Sequence, residues 1–397
     1  MTRWSRCRAG LLGGLALALL AACSTAPPTG PPPGPDRDFP RQPVSSFVTA
    51  QGRGFQIDGA PFRFVGVNIY DAAATSRYSC DPALRMTDSE LESTMRTLHD
   101  RYGASVVRFW AYQTYTASGQ DWSGTDRVIR IAKQVGMRVL PVLEDGPGYC
   151  TTSAAPVPKS RYAGDTWFSS GYRAQYGTAP MSFRDYAKVV AEHYRDEPTI
   201  LGWSLINEAD TSARDATGRS VLVGFGRDMG QVVRSADPHH LITLGTQSNG
   251  AAGASGPDFT DVYSQPELDF AEVHDWEPWG DPADPMPGGV NGRPPAADSP
   301  ACGDLHAPIG CSFARSAQLG KPLVVGEAGI HATTPAARDL RARQLDAKMR
   351  AALDAGAAGY LLWRVTKAHE DVDDITLDSG DPVLAVLADL AAGLGGP

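Results

Sequence analysis

Eight short apolar runs, each too brief for a helix, recur along the 397-residue chain and constrain its fold more than any other feature. They are Phe62 to Val67, Val106 to Trp110, Val139 to Leu143, Ile200 to Ile206, Leu241 to Leu244, Phe270 to Val273, Leu323 to Val325 and Tyr360 to Trp363. Hydrophobicity that is continuous rather than alternating belongs to strands buried on both faces, as in parallel sheets covered by helices. Helical patterns separate the runs. Thr87-Asp88-Ser89-Glu90 reads as a capping box ahead of a face made by Leu91, Met95, Leu98 and Tyr102. Ser182 opens a second helix with Tyr186, Val190 and Tyr194 on one face, and Thr334-Pro335 opens a long one ending near Gly356. This alternation predicts an α/β chain forming a single (β/α)8 TIM barrel with long βα loops. Residues beyond the roughly 250 typical of that fold fall mainly in segments 144–181 and 275–316. Gly54 to Phe64, turning at Asp58-Gly59, predicts a small hairpin at the bottom of the barrel. Neither a second domain nor an internal repeat is visible.

The first 22 residues read as an address. Arg3, Arg6 and Arg8 precede a short apolar stretch, Leu11 to Ala22, and Leu20-Ala21-Ala22-Cys23 resembles a bacterial lipobox. The expectation is a lipoprotein signal over 1–22, cleavage before Cys23 and lipidation of that residue. A Pro-rich tether over 23–45 and a catalytic domain over 46–397 follow. No apolar run reaches the length of a membrane-spanning helix, so membrane contact is expected through the lipid alone, on the outside of a bacterial membrane. The formal net charge of −9 argues against a nucleic-acid partner, which requires a basic surface.

In an exported chain the remaining cysteines, Cys80, Cys150, Cys302 and Cys311, read as disulfides with three possible pairings. The expected pairs are Cys80–Cys150 and Cys302–Cys311, both stapling loops at the barrel rim. No C-x-x-C spacing supports zinc, and Glu370-Asp371-Val372-Asp373-Asp374 lacks the spacing of a calcium loop and reads as a solvated turn. Neither metal nor cofactor is expected.

Barrel enzymes place their chemistry at the C-terminal ends of the strands. There the chain carries Asn68, Arg108 with Trp110, Glu144-Asp145, Asn207-Glu208, His274-Asp275-Trp276, Glu327 and Trp363-Arg364. A carboxylate ending a buried strand is costly unless paired or used. Two of them, on runs four and seven, suit the two-carboxylate cleavage of a glycosidic bond. Of the tryptophans beyond the signal, all but Trp203 fall at strand ends or in the loops after them, including Trp122, Trp167 and Trp279. Aromatic faces pack on the apolar faces of sugar rings, so the crowd points to carbohydrate.

Trp203-Ser204-Leu205-Ile206-Asn207-Glu208 and Pro322-Leu323-Val324-Val325-Gly326-Glu327 resemble the two signature strands of glycoside hydrolase clan A. The pattern is closest to the mannanase- and cellulase-like branch of family 5. Asp58 to Asn68, Val107-Arg108-Phe109-Trp110 and Tyr360-Leu361-Leu362-Trp363 fit the same pattern in order. The resemblance implies a retaining β-glycoside hydrolase of β-mannan or β-glucan, with Glu208 as acid/base and Glu327 as nucleophile; a monomer is expected. It further implies that Asn207 holds the sugar 2-hydroxyl, that Arg108 keeps Glu327 ionised, that His274 shapes the pocket, and that Trp363 is the sugar platform. Trp110, Trp276, Asn68 and Glu144 join the expected substrate-binding set. Three features depart from the family. Many relatives carry His-x-Tyr where this chain has His274-Asp275-Trp276, strand three ends in Glu144-Asp145 rather than a His, and the 275–316 loop is long. Glu144, Asp145, Asp275 and Glu277 could bind hydroxyls or face solvent. The rival readings are a sugar-binding lipoprotein, whose usual form is two open lobes, and a catalytically inactive barrel.

Overall fold

The computed structural model describes residues 38–146, 150, 166–175, 179–247, 250–276, 281–369 and 371–394. The expected signal, Cys23 and most of the expected tether lie outside the described residues, as do Glu277 and Trp279.

Eight parallel strands form one sheet: β4 (Phe64–Asn68), β5 (Val106–Trp110), β6 (Arg138–Val142), β7 (Gly202–Ser204), β8 (Leu241–Thr243), β9 (Ala271–Trp276), β10 (Leu323–Gly329) and β11 (Gly359–Leu362). Their spatial order, β8-β7-β6-β5-β4-β11-β10-β9, follows the sequence around a ring. Hydrogen bonds from Asp269 N–H to Ile242 O (2.8 Å) and from His274 N–H to Gln247 O (3.0 Å) close it between β8 and β9. All eight expected strands are present, and their side chains, except Trp276 at the end of β9, are buried because helices cover the outer face. Those helices are α1 (Asp88–Tyr102), α2 (Ser123–Val135), α3 (Thr166–Ser169), α4 (Phe183–Tyr194), α5 (Val221–Ala236), α6 (Pro257–Tyr263), α7 (Ile309–Leu319), α8 (Pro335–Asp354) and α9 (Pro382–Gly393).

Local chemistry starts the helices where the sequence places them. Thr87 Oγ1 accepts from Glu90 N–H (3.2 Å) while Glu90 Oε2 accepts from Thr87 N–H (2.7 Å), a closed capping box. Ser182 Oγ accepts from Asp185 N–H, and Thr334 Oγ1 from Ala337 N–H with Pro335 as the first helical residue.

Below the barrel lies an antiparallel sheet of three strands, β1 (Val48–Gln51), β2 (Gly54–Ile57) and β3 (Ala60–Phe62). Asp58 and Gly59 both have positive φ (51° and 79°), as a two-residue hairpin turn requires. The expected hairpin therefore gains a third strand. Only Val48 of β1 is buried, so its sequence shows no alternation. Phe55 and Phe62 from this sheet pack with Phe64, Val106, Leu140, Leu201, Leu241, Phe270, Val324 and Leu361, plugging the lower barrel. The open end is the upper one.

Two strands run further than their apolar runs. β9 continues through His274, Asp275 and Trp276, and β10 through Glu327 to Gly329, pairing Glu327 with His274 and Gly329 with Trp276. The polar residues are thus part of the ladder. Cys80–Cys150 and Cys302–Cys311 are both bonded as expected, with Cα–Cα separations of 5.2 and 5.4 Å.

Candidate active site

Each carboxylate is aimed by a local irregularity. On β10 the register shifts between Val325 and Glu327, a bulge that re-aims the side chain following it. Beyond β7, Asn207 N–H donates to Glu144 O (2.6 Å), Gly146 N–H to Asn207 O (2.7 Å) and Ala209 N–H to Gly245 O (3.0 Å). Glu208, gripped between these neighbours, takes a φ of 56°, a left-handed conformation costing a non-glycine residue about 1 kcal/mol or more. The grip needs glycine beside it: a Cβ on Gly146 would sit 2.2 Å from Asn207 O.

Arg108 is the hub of the floor. Fully buried on β5, it donates from Nη1 to Glu327 Oε1 (2.6 Å) and Asn68 Oδ1 (3.1 Å), from Nη2 to Asn207 Oδ1 (2.8 Å), and from Nε to Glu272 Oε1 (2.9 Å). Asn68 in turn donates to Gly326 O (2.9 Å) and Leu362 O (3.3 Å), so its role is to hold Arg108 between three strands. His274 lies opposite, with Nδ1 2.9 Å from Glu208 Oε1 and 3.5 Å from Glu327 Oε2, and Nε2 3.5 Å from Glu272 Oε1. Trp276 Nε1–H donates to Glu327 Oε2 (3.3 Å). Room for its indole comes from Gly329, where a Cβ would lie 2.3 Å from the ring.

These neighbours set the charges. Burial pushes the Glu327 carboxyl above the usual carboxylate range; His274 and Arg108 oppose this, and Glu208 adds to it. Arg108 acts to lower Glu327, the direction expected of a nearby guanidinium, but burial outweighs it. Glu272 behaves oppositely. Burial raises it, yet Arg108 and the hydrogen bonds from His274 and Ser204 together hold it below the ordinary value. Burial alone would lower His274, but Glu327, Glu208 and Glu272 drive it up to about 9.

A stability prediction follows. His274 is raised from 6.5 to about 9 on folding, so its contribution is fully present below pH 6.5 and lost as pH climbs through 9. Urea unfolding should show wild-type stability falling by about 3 kcal/mol across that window, and His274→Gln should flatten the slope. An equally steep slope in the variant would assign it to other groups.

Above the floor opens a cavity of about 490 Å³, lined by Tyr70, Cys80, Trp110, Asn207, Glu208, Gln247, Trp276, Glu327, Trp363, Arg364, Asp371 and Asp373. That size suits an oligomeric small ligand. Trp363 meets Tyr70 nearly parallel at 5.5 Å and Trp276 edge-on at 5.8 Å, giving the cavity an aromatic wall. Of the expected residues, Trp110, Asn207, Glu208, Trp276, Glu327 and Trp363 line this space, while Asn68, Arg108 and His274 support it from below. Glu144 does not line it, and its support is through the backbone. It is buried, Oε1 accepts from Asp145 N–H (2.9 Å), and its carbonyl holds Asn207. Asp275 points away, buried beside Lys348 Nζ (3.2 Å) on α8. Trp122 stacks on His193, and Trp167 packs on Phe225 and Phe183 in the helical layer, so neither belongs to the sugar rim. The acidic turn is not solvated throughout, since Asp373 and Asp374 are buried. Glu272 was missed because it interrupts an apolar run whose neighbours signal only a strand. Tyr70 and Gln247 lie just past strands in segments without a motif.

A carboxylate oxygen of Glu208, one of Glu327 and a His274 ring nitrogen lie within 4.8 Å of one another. That spacing could admit a cation, but a protonated His274 and the Arg108 guanidinium oppose one. The cluster fits a carboxylate pair managed by two cations.

Comparison with known proteins agrees with this architecture. Mannan endo-1,4-beta-mannosidase A of Hypocrea jecorina is 26% identical over 276 residues, covering 60% of this chain and 58% of that protein. Mannan endo-1,4-beta-mannosidase 3 of Solanum lycopersicum is 27% identical over 264 residues, covering 58% and 62%. The chain thus spans about three fifths of the length of these curated relatives. The endo-1,4-beta-mannanase from Rhizomucor miehei shares the fold, with a TM-score of 0.61 at 18% identity over 88% of this chain and all of that one. Residues 57–369 match the cellulase family model, and the chain therefore belongs to the cellulase family, glycosyl hydrolase family 5.

Proposed function

We propose that the chain is a retaining β-glycoside hydrolase of β-linked polysaccharide, with β-1,4-mannan favoured over β-glucan because the relatives above are named for mannan. The observation carrying this reading is the pair Glu208 and Glu327, whose carboxylate oxygens approach within 4.8 Å across one cavity. Retaining enzymes hold their carboxyl groups about 5–5.5 Å apart, whereas inverting ones need roughly 6.5–9.5 Å to admit a water. Glu327 attacks the anomeric carbon as Glu208 gives its proton to the departing oxygen, leaving a glycosyl–Glu327 ester. Water then attacks that carbon, Glu208 takes its proton, and Glu327 leaves. Asn207, fixed by Arg108, is placed to hold the 2-hydroxyl, and Trp363 to support the ring. The raised Glu327 loses its ionised form at a higher pH than an exposed carboxylate would.

A two-lobed binding protein does not fit the closed barrel, and the preserved carboxylate–His–Arg arrangement argues against an inactive one. The lipobox and tether support an exported, lipid-anchored protein. Its described surface supports a monomer, with Val290, Leu305 and Leu340 the large apolar side chains left exposed. NMR of the first-formed product from β-mannan should show the β-anomer; the α-anomer would overturn the retaining mechanism. Cys23→Ser should move the protein out of the membrane fraction or block its processing.

A further inference from the structure

The turn after β11 is fastened into the cavity wall. Ala332 N–H donates to Val372 O (2.9 Å), Ile375 N–H to Arg364 O (2.9 Å), and Thr366 N–H to Ile375 O (3.1 Å). Arg364 Nε donates to Asp374 Oδ1 (2.7 Å), and the Arg364 guanidinium sits 4.9 Å from the Tyr70 ring centroid. Buried Arg341 on α8 donates to the carbonyls of Asp373 and Asp374, both at 3.4 Å. The turn is therefore rigid, braced by the loops after β10 and β11 and by a helix behind them.

Within it, Asp373 lines the cavity at only 9% exposure, and its buried Oδ1 receives no hydrogen bond from the protein. The nearest basic nitrogen is His331 Nε2 at 3.6 Å, beyond hydrogen-bond reach. A buried carboxylate oxygen without a donor is costly, and a ligand hydroxyl relieves that cost. The side of the cavity can also be assigned. Glu208 must protonate the departing oxygen, so the leaving part of the substrate lies towards β7. Asp373, on the turn after β11 and near His331 in the loop after β10, stands across the ring from β7, the side towards which the retained sugars extend.

We propose that Asp373 is a specificity-determining residue whose Oδ1 accepts a hydrogen bond from a hydroxyl of the second sugar on the retained side. This rests on the hydrolase reading and names a contact within it. Burial pushes the Asp373 carboxyl up to about 6; His331, Arg364 and Arg341 oppose the shift and Asp371 adds to it. Only the ionised form is purely an acceptor, so the contact weakens as pH falls through about 6.

The test compares an aryl β-mannoside with the matching aryl β-1,4-mannobioside. In the ratio of their kcat/KM values the pH dependence of the shared chemical step cancels. For the wild type the ratio should fall as pH drops through about 6. Asp373→Ala and Asp373→Asn should lower it roughly 10- to 100-fold at neutral pH, the scale of a hydrogen bond to a charged group, and flatten its pH dependence. An unchanged ratio overturns the proposal, including the case where both substrates lose equally. If the wild type cleaves neither substrate and releases no reducing ends from β-mannan or β-glucan, the hydrolase reading has failed. Calorimetric titration of β-1,4-mannotriose into Glu327→Ala, with and without Asp373→Ala, then reads the contact: weaker binding supports it and equal affinity overturns it.

Discussion

Glu327→Ala should abolish turnover of polysaccharide, with a loss on the order of 10⁵- to 10⁶-fold, the scale of removing a covalent nucleophile. Folding should survive, because Arg108 stays neutralised by Glu272 at 2.9 Å. Sugar binding should survive as well, since Trp110, Trp276, Trp363 and Asn207 remain in the cavity. Glu208→Ala should separate from it by leaving group. Polysaccharide cleavage should drop about 10²- to 10⁴-fold, the range for losing a general acid, while an aryl glycoside with an acidic leaving group needs little protonation and should lose far less. A fluorosugar that traps the covalent intermediate, followed by peptide mass mapping, should label Glu327. A label on Glu272 or Asp373 would overturn the assignment.

Arg108→Met should be the most destabilising change in the floor. It leaves Glu272 and Glu327 buried with His274 as the remaining cation of the cluster, and stranding a buried charge costs about 3–5 kcal/mol. Adding Glu272→Gln removes one of the stranded charges, so the double variant should recover part of that loss. The two changes should therefore be far from additive, as expected of groups in direct contact. Urea unfolding of the wild type, both single variants and the double variant measures the coupling. A loss below about 1 kcal/mol for Arg108→Met, or simple additivity, would show that His274 alone manages both acids.

The barrel was readable because strands buried on both faces leave an unbroken apolar signature, and each of the eight overlaps its sequence run, seven of them containing most or all of it. Polar residues at the run ends were readable for the same reason, as they stand out against apolar neighbours. Glu272 has that contrast too, but it falls inside a run, and only the ring closure brings it to Arg108, 164 positions away. Asp373 failed for the opposite reason. Four acids in five residues look like solvated charge, and nothing local shows that Arg341 and Arg364, from other elements, carry the turn inward. Glu144 and Asp275 resemble site acids in sequence because strand ends point both into the cavity and away from it. One residue of register decides which. An arginine partner for Glu327 can be named from sequence, while the depth of burial that opposes it cannot.

The contact between Trp276 and Gly329 restricts the routes by which this floor could be altered. The indole occupies the space a side chain at 329 would need, with 2.3 Å between the ring and a Cβ built there. A substitution at 329 is therefore blocked while the tryptophan is present, whereas a smaller ring at 276 is sterically admissible at once and then frees position 329 to vary. Exchange of the indole donor for the phenol that many relatives carry has a passable order, ring first and glycine second, and the reverse order runs into a clash beside the nucleophile. In a library that randomises the two positions together, the accepted pairs should be correlated, with large rings at 276 found beside glycine and side chains at 329 found beside smaller groups.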